Sequence, residues 1–152
     1  MLKILKERWS KNEHKLRAAI SANNSLNYCD YAYLVKLAFD IIYNDAGDRY
    51  PNLDTDNITV IDDGNYQGTL LFVIPFNTYQ PTEGEYLMTS IGYGSCSGCD
   101  TLQSIQFLGD EPPSEVELDS YMQLCRDIIC NTIKPYNSGW RNDKNFEIAE
   151  ED

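Results

Sequence analysis

The sequence predicts an α+β domain, with an antiparallel sheet of about three strands beside helices at both ends of the chain. Apolar residues repeat at helical spacing near both ends, β-branched apolar segments fill the middle, and an Asp-Gly turn joins two of these segments. Helices grouped beside an antiparallel sheet define this fold class. The 152 residues match one domain, which we expect over 1–136, followed by a polar acidic tail over 137–152.

Two helices are predicted in the N-terminal third of the chain. The first has an apolar face formed by Leu2, Leu5, Trp9, Leu16 and Ile20. The second begins after Asp30, a residue type that caps helix N-termini. Its apolar face consists of Tyr31, Leu34, Val35, Ala38, Ile41 and Ile42.

Three strands are predicted in the middle of the chain, over 58–61, 67–76 and about 85–93. The residues from Asp62 to Asn65 read Asp-Asp-Gly-Asn, which is typical of a hairpin turn between the first two strands. Pro75 indicates the end of the second strand or an edge of the sheet, because proline cannot donate to a strand ladder.

Two helices are predicted after the third strand. Asp100 would cap a short helix over 101–107, although a fourth strand there is an alternative. Ser114 and Glu117 form a capping box that opens the last helix, and we expect Pro135 to end it. The apolar face of that helix is Leu118, Tyr121, Met122, Cys125, Ile128, Ile129 and Thr132.

The segment 93–100, Tyr-Gly-Ser-Cys-Ser-Gly-Cys-Asp, is the strongest candidate in the chain for ligand binding or thiol reactivity. Glycines and small polar side chains before a helix suit the binding of an anion, and a thiol there would have a lowered pKa. Asp100 weighs against an anion, and so does the lack of any Lys or Arg between Arg49 and Arg126. A tight turn whose small residues pack under the sheet is the simpler interpretation. The candidate ligand-binding residues are Gly94, Ser95, Cys96, Ser97, Gly98 and Cys99.

Five cysteines and one histidine limit the possible metal and thiol chemistry. An odd number of cysteines without an export signal indicates reduced thiols in the cytosol. Cys96 and Cys99 have the spacing of half a zinc site. The other half would have to come from Cys29, Cys125, Cys130 or His14, and Cys29 with one cysteine of the last helix is the geometry that would suit it. His14 is predicted to face solvent, so cysteine–histidine catalysis is largely excluded. We expect no cofactor and no metal.

The charge of the chain is strongly negative, at −12. Residues 1–20 hold six basic and two acidic residues, so the remaining chain carries −16. An acidic body should repel nucleic acid and anionic membranes, so we expect neither as a partner. No apolar run approaches the roughly 18 residues of a membrane span, and we expect a cytoplasmic location. A protein with a basic surface is the partner that this charge fits.

Acidic residues and tyrosines supply the candidate protein-binding surface. The chain has eleven tyrosines, a residue type that interfaces favour. The turn chemistry around 54–63 and the helix dipole at 115–117 offer structural explanations for the same acids. The candidate residues are Asp54, Asp56, Asp62, Asp63, Tyr66, Glu115 and Glu117.

Three segments resemble small proteins encoded by bacteriophages and prophages. They are Trp9 with Asn12, residues 66–70 (Tyr-Gln-Gly-Thr-Leu), and residues 93–103 (Tyr-Gly-Ser-Cys-Ser-Gly-Cys-Asp-Thr-Leu-Gln). The resemblance covers most of the chain, and that uncharacterised family has no assigned reaction. It implies a viral origin and a bacterial cytosolic setting, where small acidic phage proteins often act on host machinery.

The leading hypothesis is a non-enzymatic phage accessory protein that binds a basic host or defence protein, in the manner of anti-CRISPR inhibitors. One alternative is a small-ligand-binding, nucleotide-binding or thiol-active protein that uses residues 93–100. Another is a structural or morphogenesis component of the phage.

Overall fold

The structure is a computed structural model that describes residues 2–44, 52–65, 67–77, 86–96, 99–106, 111–135 and 146–148. Within these residues the chain forms helices packed against a five-stranded antiparallel sheet, so the predicted α+β class is confirmed. The helices are α1 (Leu2–Ser21), α2 (Tyr31–Ile42), α3 (Thr101–Ile105) and α4 (Glu115–Cys130). The strands are β1 (Thr59–Asp62), β2 (Gly68–Pro75), β3 (Tyr86–Tyr93), β4 (Ile133–Pro135) and β5 (Phe146–Ile148). Tyr66, Ser97 and Gly98, three of the predicted site residues, lie outside the described residues.

Helices α1 and α2 pack against each other, as their predicted apolar faces require. Leu5, Leu16 and Ile20 of α1 are fully buried. Asp30 caps α2 as predicted, because its carboxylate accepts a hydrogen bond from the backbone N–H of Tyr33. Both N-terminal helices therefore follow from their apolar repeats and end signals.

Two polar residues of α1 are buried, which the helical pattern did not predict. Arg8 Nη1 donates to the carbonyl of Tyr43 at 2.9 Å, and Asn12 Nδ2 donates to the carbonyl of Ile42 at 3.1 Å. Both carbonyls belong to the last turn of α2, where a helix leaves acceptors without internal partners. The Arg8 guanidinium also lies 4.0 Å from the centre of the Tyr43 ring. Side chains of α1 therefore supply hydrogen-bond donors to the carbonyl groups at the end of α2.

The β1–β2 hairpin has the predicted turn, with β1 and β2 each starting one residue later than expected. Asp62 accepts a hydrogen bond from the Gly64 N–H at 3.0 Å, and Asp63 accepts one from the Thr69 N–H at 2.7 Å. A Cβ at Gly64 would lie 2.1 Å from the carbonyl oxygen of Gln67, so this close approach requires glycine. The two aspartates therefore stabilise the turn that the sequence predicts.

The sheet has the strand order β1-β2-β3-β4-β5, two strands more than the sequence predicted. The prediction that the last helix reaches Thr132 is wrong, because α4 ends at Cys130 with Asn131 as its C-cap. Pro135 lies in β4 rather than ending the helix, and Ile133 of β4 pairs with Met88 of β3. β-branched Ile133 and a proline two residues later favour extended backbone. β5 falls within the segment 137–152 and pairs with β4.

One face of the sheet carries the core. Phe72, Ile74 and Leu87 are fully buried on the face that packs against the helices. Thr89 on the same face donates its hydroxyl to the carbonyl of Ile128 at 2.6 Å and so fixes β3 against α4. Residues of the opposite face, such as Val73, are only half-buried. The domain is therefore a helical layer on one side of a sheet.

The predicted short helix after the third strand is confirmed as α3, which ends at Ile105, two residues earlier than predicted, and the alternative of a strand there is wrong. Asp100 caps it by accepting from the Gln103 N–H at 2.9 Å, which is why the chain turns into a helix here. Among the described residues, no helix combines the length and the hydrophobicity that a membrane span requires.

Candidate functional site

A cleft of about 440 Å³ opens between the sheet and the first turns of α2 and α3. This volume lies within the roughly 300–1,000 Å³ of ligand pockets. In the β1–β2 register Val60 lies opposite Phe72 and Asp62 lies opposite Leu70, so these four side chains share one face and form the sheet wall with Tyr93. The helical wall includes Asp30, Tyr31, Asp100, Gln103 and Gln106.

Asp62 and Tyr93 form a polar pair on the sheet wall. The Tyr93 hydroxyl donates to Asp62 Oδ1 at 2.6 Å, and the Gly64 N–H donates to the same oxygen at 3.0 Å. These hydrogen bonds hold the pKa of Asp62 below its ordinary value, and the bond from Tyr93 is the larger cause. The Asp62 carboxylate in turn raises the pKa of Tyr93 to about 12. At neutral pH the cleft therefore presents an ionised Asp62 held in place by a neutral phenol.

Asp100 connects α2, α3 and the end of β3 at the back of the cleft. It is 3% exposed, and its Oδ1 accepts from the Gly94 N–H at 2.8 Å and from the Tyr31 hydroxyl at 3.1 Å. Its Oδ2 accepts from the Gln103 N–H, and the Tyr31 oxygen accepts from the Leu102 N–H at 3.0 Å. Burial raises the pKa of Tyr31 to about 12, so its hydroxyl keeps the proton that it donates. These bonds fix the position of both helix starts.

Gln106 holds the segment before α2 against the end of α3. Its side-chain amide donates to the carbonyl of Leu26 at 2.6 Å and to that of Cys29 at 3.0 Å. Burial raises the pKa of the Cys29 thiol to about 11. Cys29 is therefore a neutral thiol at pH 7, unsuited to act as a nucleophile.

The charge of the cleft is negative. Among the described lining residues there are three aspartates, Asp30, Asp62 and Asp100, and no Lys, Arg or His. Asp100 is buried and its carboxylate oxygens already accept internal hydrogen bonds, whereas Asp30 and Asp62 are exposed. An anion would be repelled here, and a cation would be attracted. Val60, which is exposed, and Leu70, which is half-buried, form an apolar wall that suits the aliphatic stem of a long basic side chain.

The cysteine loop, whose described residues are 94–96, 99 and 100, lies beside this cleft and contributes Gly94 and Asp100 to its lining. Four of its backbone N–H groups donate to acceptors of the loop itself. Gly94 donates to Asp100, Cys96 to the sulfur of Cys99 at 3.1 Å, and both Cys99 and Asp100 to the Cys96 carbonyl at 3.1 and 2.9 Å. The donors that an anion would need are therefore already used at these four positions.

The thiols of the loop are exposed rather than packed under the sheet, so the simpler interpretation of this segment is wrong for Cys96 and Cys99. All five cysteines are free thiols, and Cys125 is the one that lies fully buried in the core. Within the described ranges, no group of three His, Cys, Asp or Glu residues is placed to hold a metal ion. The predicted half-site of Cys96 and Cys99 therefore gains no further ligand from the described residues.

The acids predicted for protein binding near the hairpin have local partners. Asp54 accepts from the Asp56 N–H and caps a short 3₁₀ turn, Thr55–Asn57. Asp56 forms an ion pair with Lys36 at 3.1 Å, and Asp63 stabilises the β1–β2 turn. Turn formation therefore accounts for Asp54 and Asp63, and of these acids only Asp62 lines the cleft.

Glu115 and Glu117 lie at the start of α4, on a different element from the cleft. Glu115 pairs with Arg17 of α1 at 3.3 Å. Glu117 accepts from the Ser114 N–H at 2.8 Å and completes the predicted capping box. Both acids predicted for binding in this region therefore have partners at the start of α4 or on α1.

Sequence reasoning did not identify Asp30, Tyr31 or Gln106 as site residues. The available signal was that Asp30 and Asp100 both cap helices, which places a carboxylate at the start of α2 and of α3. The two helix starts converge on the same end of the sheet because of tertiary packing. No local sequence pattern predicts this convergence.

Comparison of the chain with protein-family models, with curated proteins and with solved structures found no match. The chemical interpretation of the cleft therefore rests on its shape, its charge and the hydrogen bonds that hold its walls.

Proposed function

We propose that this chain is a non-enzymatic accessory protein of bacteriophage origin that binds a basic segment of a host or defence protein. The observation that carries the proposal is the cleft, which combines an apolar wall with two exposed aspartates and no basic residue among its described lining. The resemblance to small phage proteins supports the viral origin and the bacterial setting.

An arginine or lysine side chain is the occupant that suits the cleft best. The Asp62 carboxylate is already oriented by Tyr93 and Gly64, so little side-chain entropy is lost when a cation binds beside it. Val60 is 43% exposed and would be covered by the aliphatic stem of the incoming residue. The same charge disfavours a nucleotide or a phosphate as the ligand.

Strand β1 supplies a second feature that favours an extended basic segment. It is one of the two edge strands of the sheet formed by the described residues, all four of its residues are exposed, and Ile61 is 50% exposed. A terminal strand presents backbone donors and acceptors to which another chain can add as a further strand. A partner strand along β1 would bring its side chains to the mouth of the cleft.

The proposal is tested by calorimetric titration of the protein with an oligo-arginine peptide. The variant Asp62→Asn removes one charge of the cleft, and Asp127→Asn removes one exposed charge of α4 as the matched control. We expect Asp62→Asn to weaken binding up to about 5-fold, the worth of one partly exposed ion pair. Asp127→Asn should weaken binding less, and added salt should weaken it for every variant.

Two results would reject the cleft as the contact surface. One is equal weakening by Asp62→Asn and Asp127→Asn, which would indicate nonspecific attraction to the net charge. The other is binding of a glutamate-rich peptide as tightly as the arginine peptide.

A further inference from the structure

Cys96 and Cys99 bring two exposed thiols together at the surface between β3 and α3. Their sulfur atoms are 2.8 Å apart, closer than ordinary van der Waals contact between sulfurs. A disulfide needs a separation of about 2.05 Å, so bond formation requires a movement of less than about 1 Å. The two thiols are therefore already positioned to form a bond with each other.

The backbone around the pair keeps this geometry in place. The Cys96 carbonyl accepts from the N–H groups of both Cys99 and Asp100, which closes a tight turn. Asp100 is anchored in turn to Gly94 and Tyr31. A Cβ at Gly94 would lie 2.4 Å from the Cys99 carbonyl oxygen, so the loop can return this closely only past a glycine.

The sulfur of Cys99 has the surroundings of a reactive thiolate. The Cys96 N–H donates to it at 3.1 Å, the Cys96 sulfur lies within hydrogen-bond distance, and Ser95 Oγ is 3.7 Å away. The hydrogen bond with the Cys96 side chain is the largest cause of a lowered pKa at Cys99. Burial has the opposite effect on the pKa of Cys125, which is raised.

We propose that Cys96 and Cys99 form a redox-active dithiol that exchanges with low-molecular-weight disulfides. The proposal is independent of the basic-partner proposal, because the reacting groups are the two loop thiols and neither Asp30 nor Asp62, the exposed acids of the cleft, takes part. Neither thiol has a further metal ligand among the described residues, which favours exchange over metal binding.

The exchange balances as a two-electron reaction. The Cys99 thiolate attacks one sulfur of the substrate disulfide, forms a mixed disulfide and releases the first thiolate. The Cys96 sulfur then attacks the Cys99 sulfur, forms the Cys96–Cys99 disulfide and releases the second thiolate, which takes the proton from Cys96. The protein loses two electrons, and the substrate disulfide is reduced to two thiols once the first thiolate takes from solvent the proton that Cys99 released on ionisation.

The test exposes the reduced protein to oxidised glutathione, traps the remaining thiols with an alkylating reagent and locates them by mass spectrometry. We expect the thiols of Cys96 and Cys99 to be lost together as one intramolecular disulfide. Cys96→Ser should accumulate a glutathione adduct on Cys99, because no neighbouring thiol remains to displace it. Cys130→Ser, which removes the exposed cysteine of α4, should leave the reaction unchanged.

A second measurement keeps the inference open to refutation if a variant folds poorly. In the wild-type protein the alkylation rate of Cys99 at neutral pH should exceed that of Cys130. Equal rates, a glutathione adduct that persists on the wild-type protein, or a disulfide that involves Cys130 would overturn the proposal.

Discussion

Asp100 accepts hydrogen bonds from three different parts of the fold: Tyr31 in α2, Gly94 after β3, and Gln103 in α3. The sequence predicts it only as a helix cap, and its contact with Tyr31 spans 69 residues of chain. A carboxylate can accept all three bonds, whereas an amide replaces one acceptor oxygen with a donor. The geometry of the cleft therefore depends strongly on this one side chain.

The substitution Asp100→Asn should lower the free energy of unfolding by about 1–3 kcal/mol, because it leaves a buried donor without its acceptor. Urea unfolding followed by circular dichroism measures the change. Asp127→Asn on exposed α4 is the control and should change stability by less than about 0.5 kcal/mol. Equal effects of the two substitutions would contradict the role given to Asp100.

The raised pKa of Tyr31 should make the folded protein less stable at alkaline pH. This pKa is about 12 in the folded protein against an ordinary value of 10.0, so the unfolded chain releases this proton first as the pH rises. The free energy of unfolding should therefore be constant below pH 10 with respect to this group and fall between pH 10 and about 12. In Tyr31→Phe the decline should be shallower in urea unfolding across this range. A decline parallel to that of the wild type would show that Tyr31 does not contribute.

Local sequence patterns predict the helices of this fold better than its short strands. Asp30, Asp100 and Ser114 all cap the helices that the sequence predicts, because capping is a local property of a few neighbouring residues. β4 has three residues, too few for an alternating pattern, and its pairing with β3 depends on a distant contact between Ile133 and Met88. Sequence patterns therefore predict the long strands, but they miss short strands that form by tertiary pairing.

The contribution of the α4 capping box to stability can be tested by substitution. Ser114→Ala removes the hydroxyl that accepts from the Glu117 N–H and should destabilise the protein by about 1 kcal/mol. Ser120→Ala makes the same chemical change at an exposed position inside the helix, where alanine favours helix formation. Thermal unfolding should therefore show a lower Tm for Ser114→Ala only. A lower Tm for both would indicate that the cap is not the cause.

For the whole molecule, the net charge indicates a basic partner but does not locate the contact. Of the six described acids that the sequence offers for binding, only Asp62 lines the cleft. The other five have turn, capping or ion-pair partners that composition alone cannot reveal. The cleft arises because two helix starts converge on the β1 end of the sheet, and this convergence is a property of the packed fold.

Nuclear magnetic resonance mapping of the backbone amides tests whether a basic segment binds in the cleft. Isotope-labelled protein is titrated with the oligo-arginine peptide, and the shift changes are followed residue by residue. Binding in the cleft predicts the largest changes at β1 and at the starts of α2 and α3, with Val60, Asp62 and Leu102 among them. Changes centred on Glu115 and Glu117, or spread evenly over the acidic residues, would contradict it.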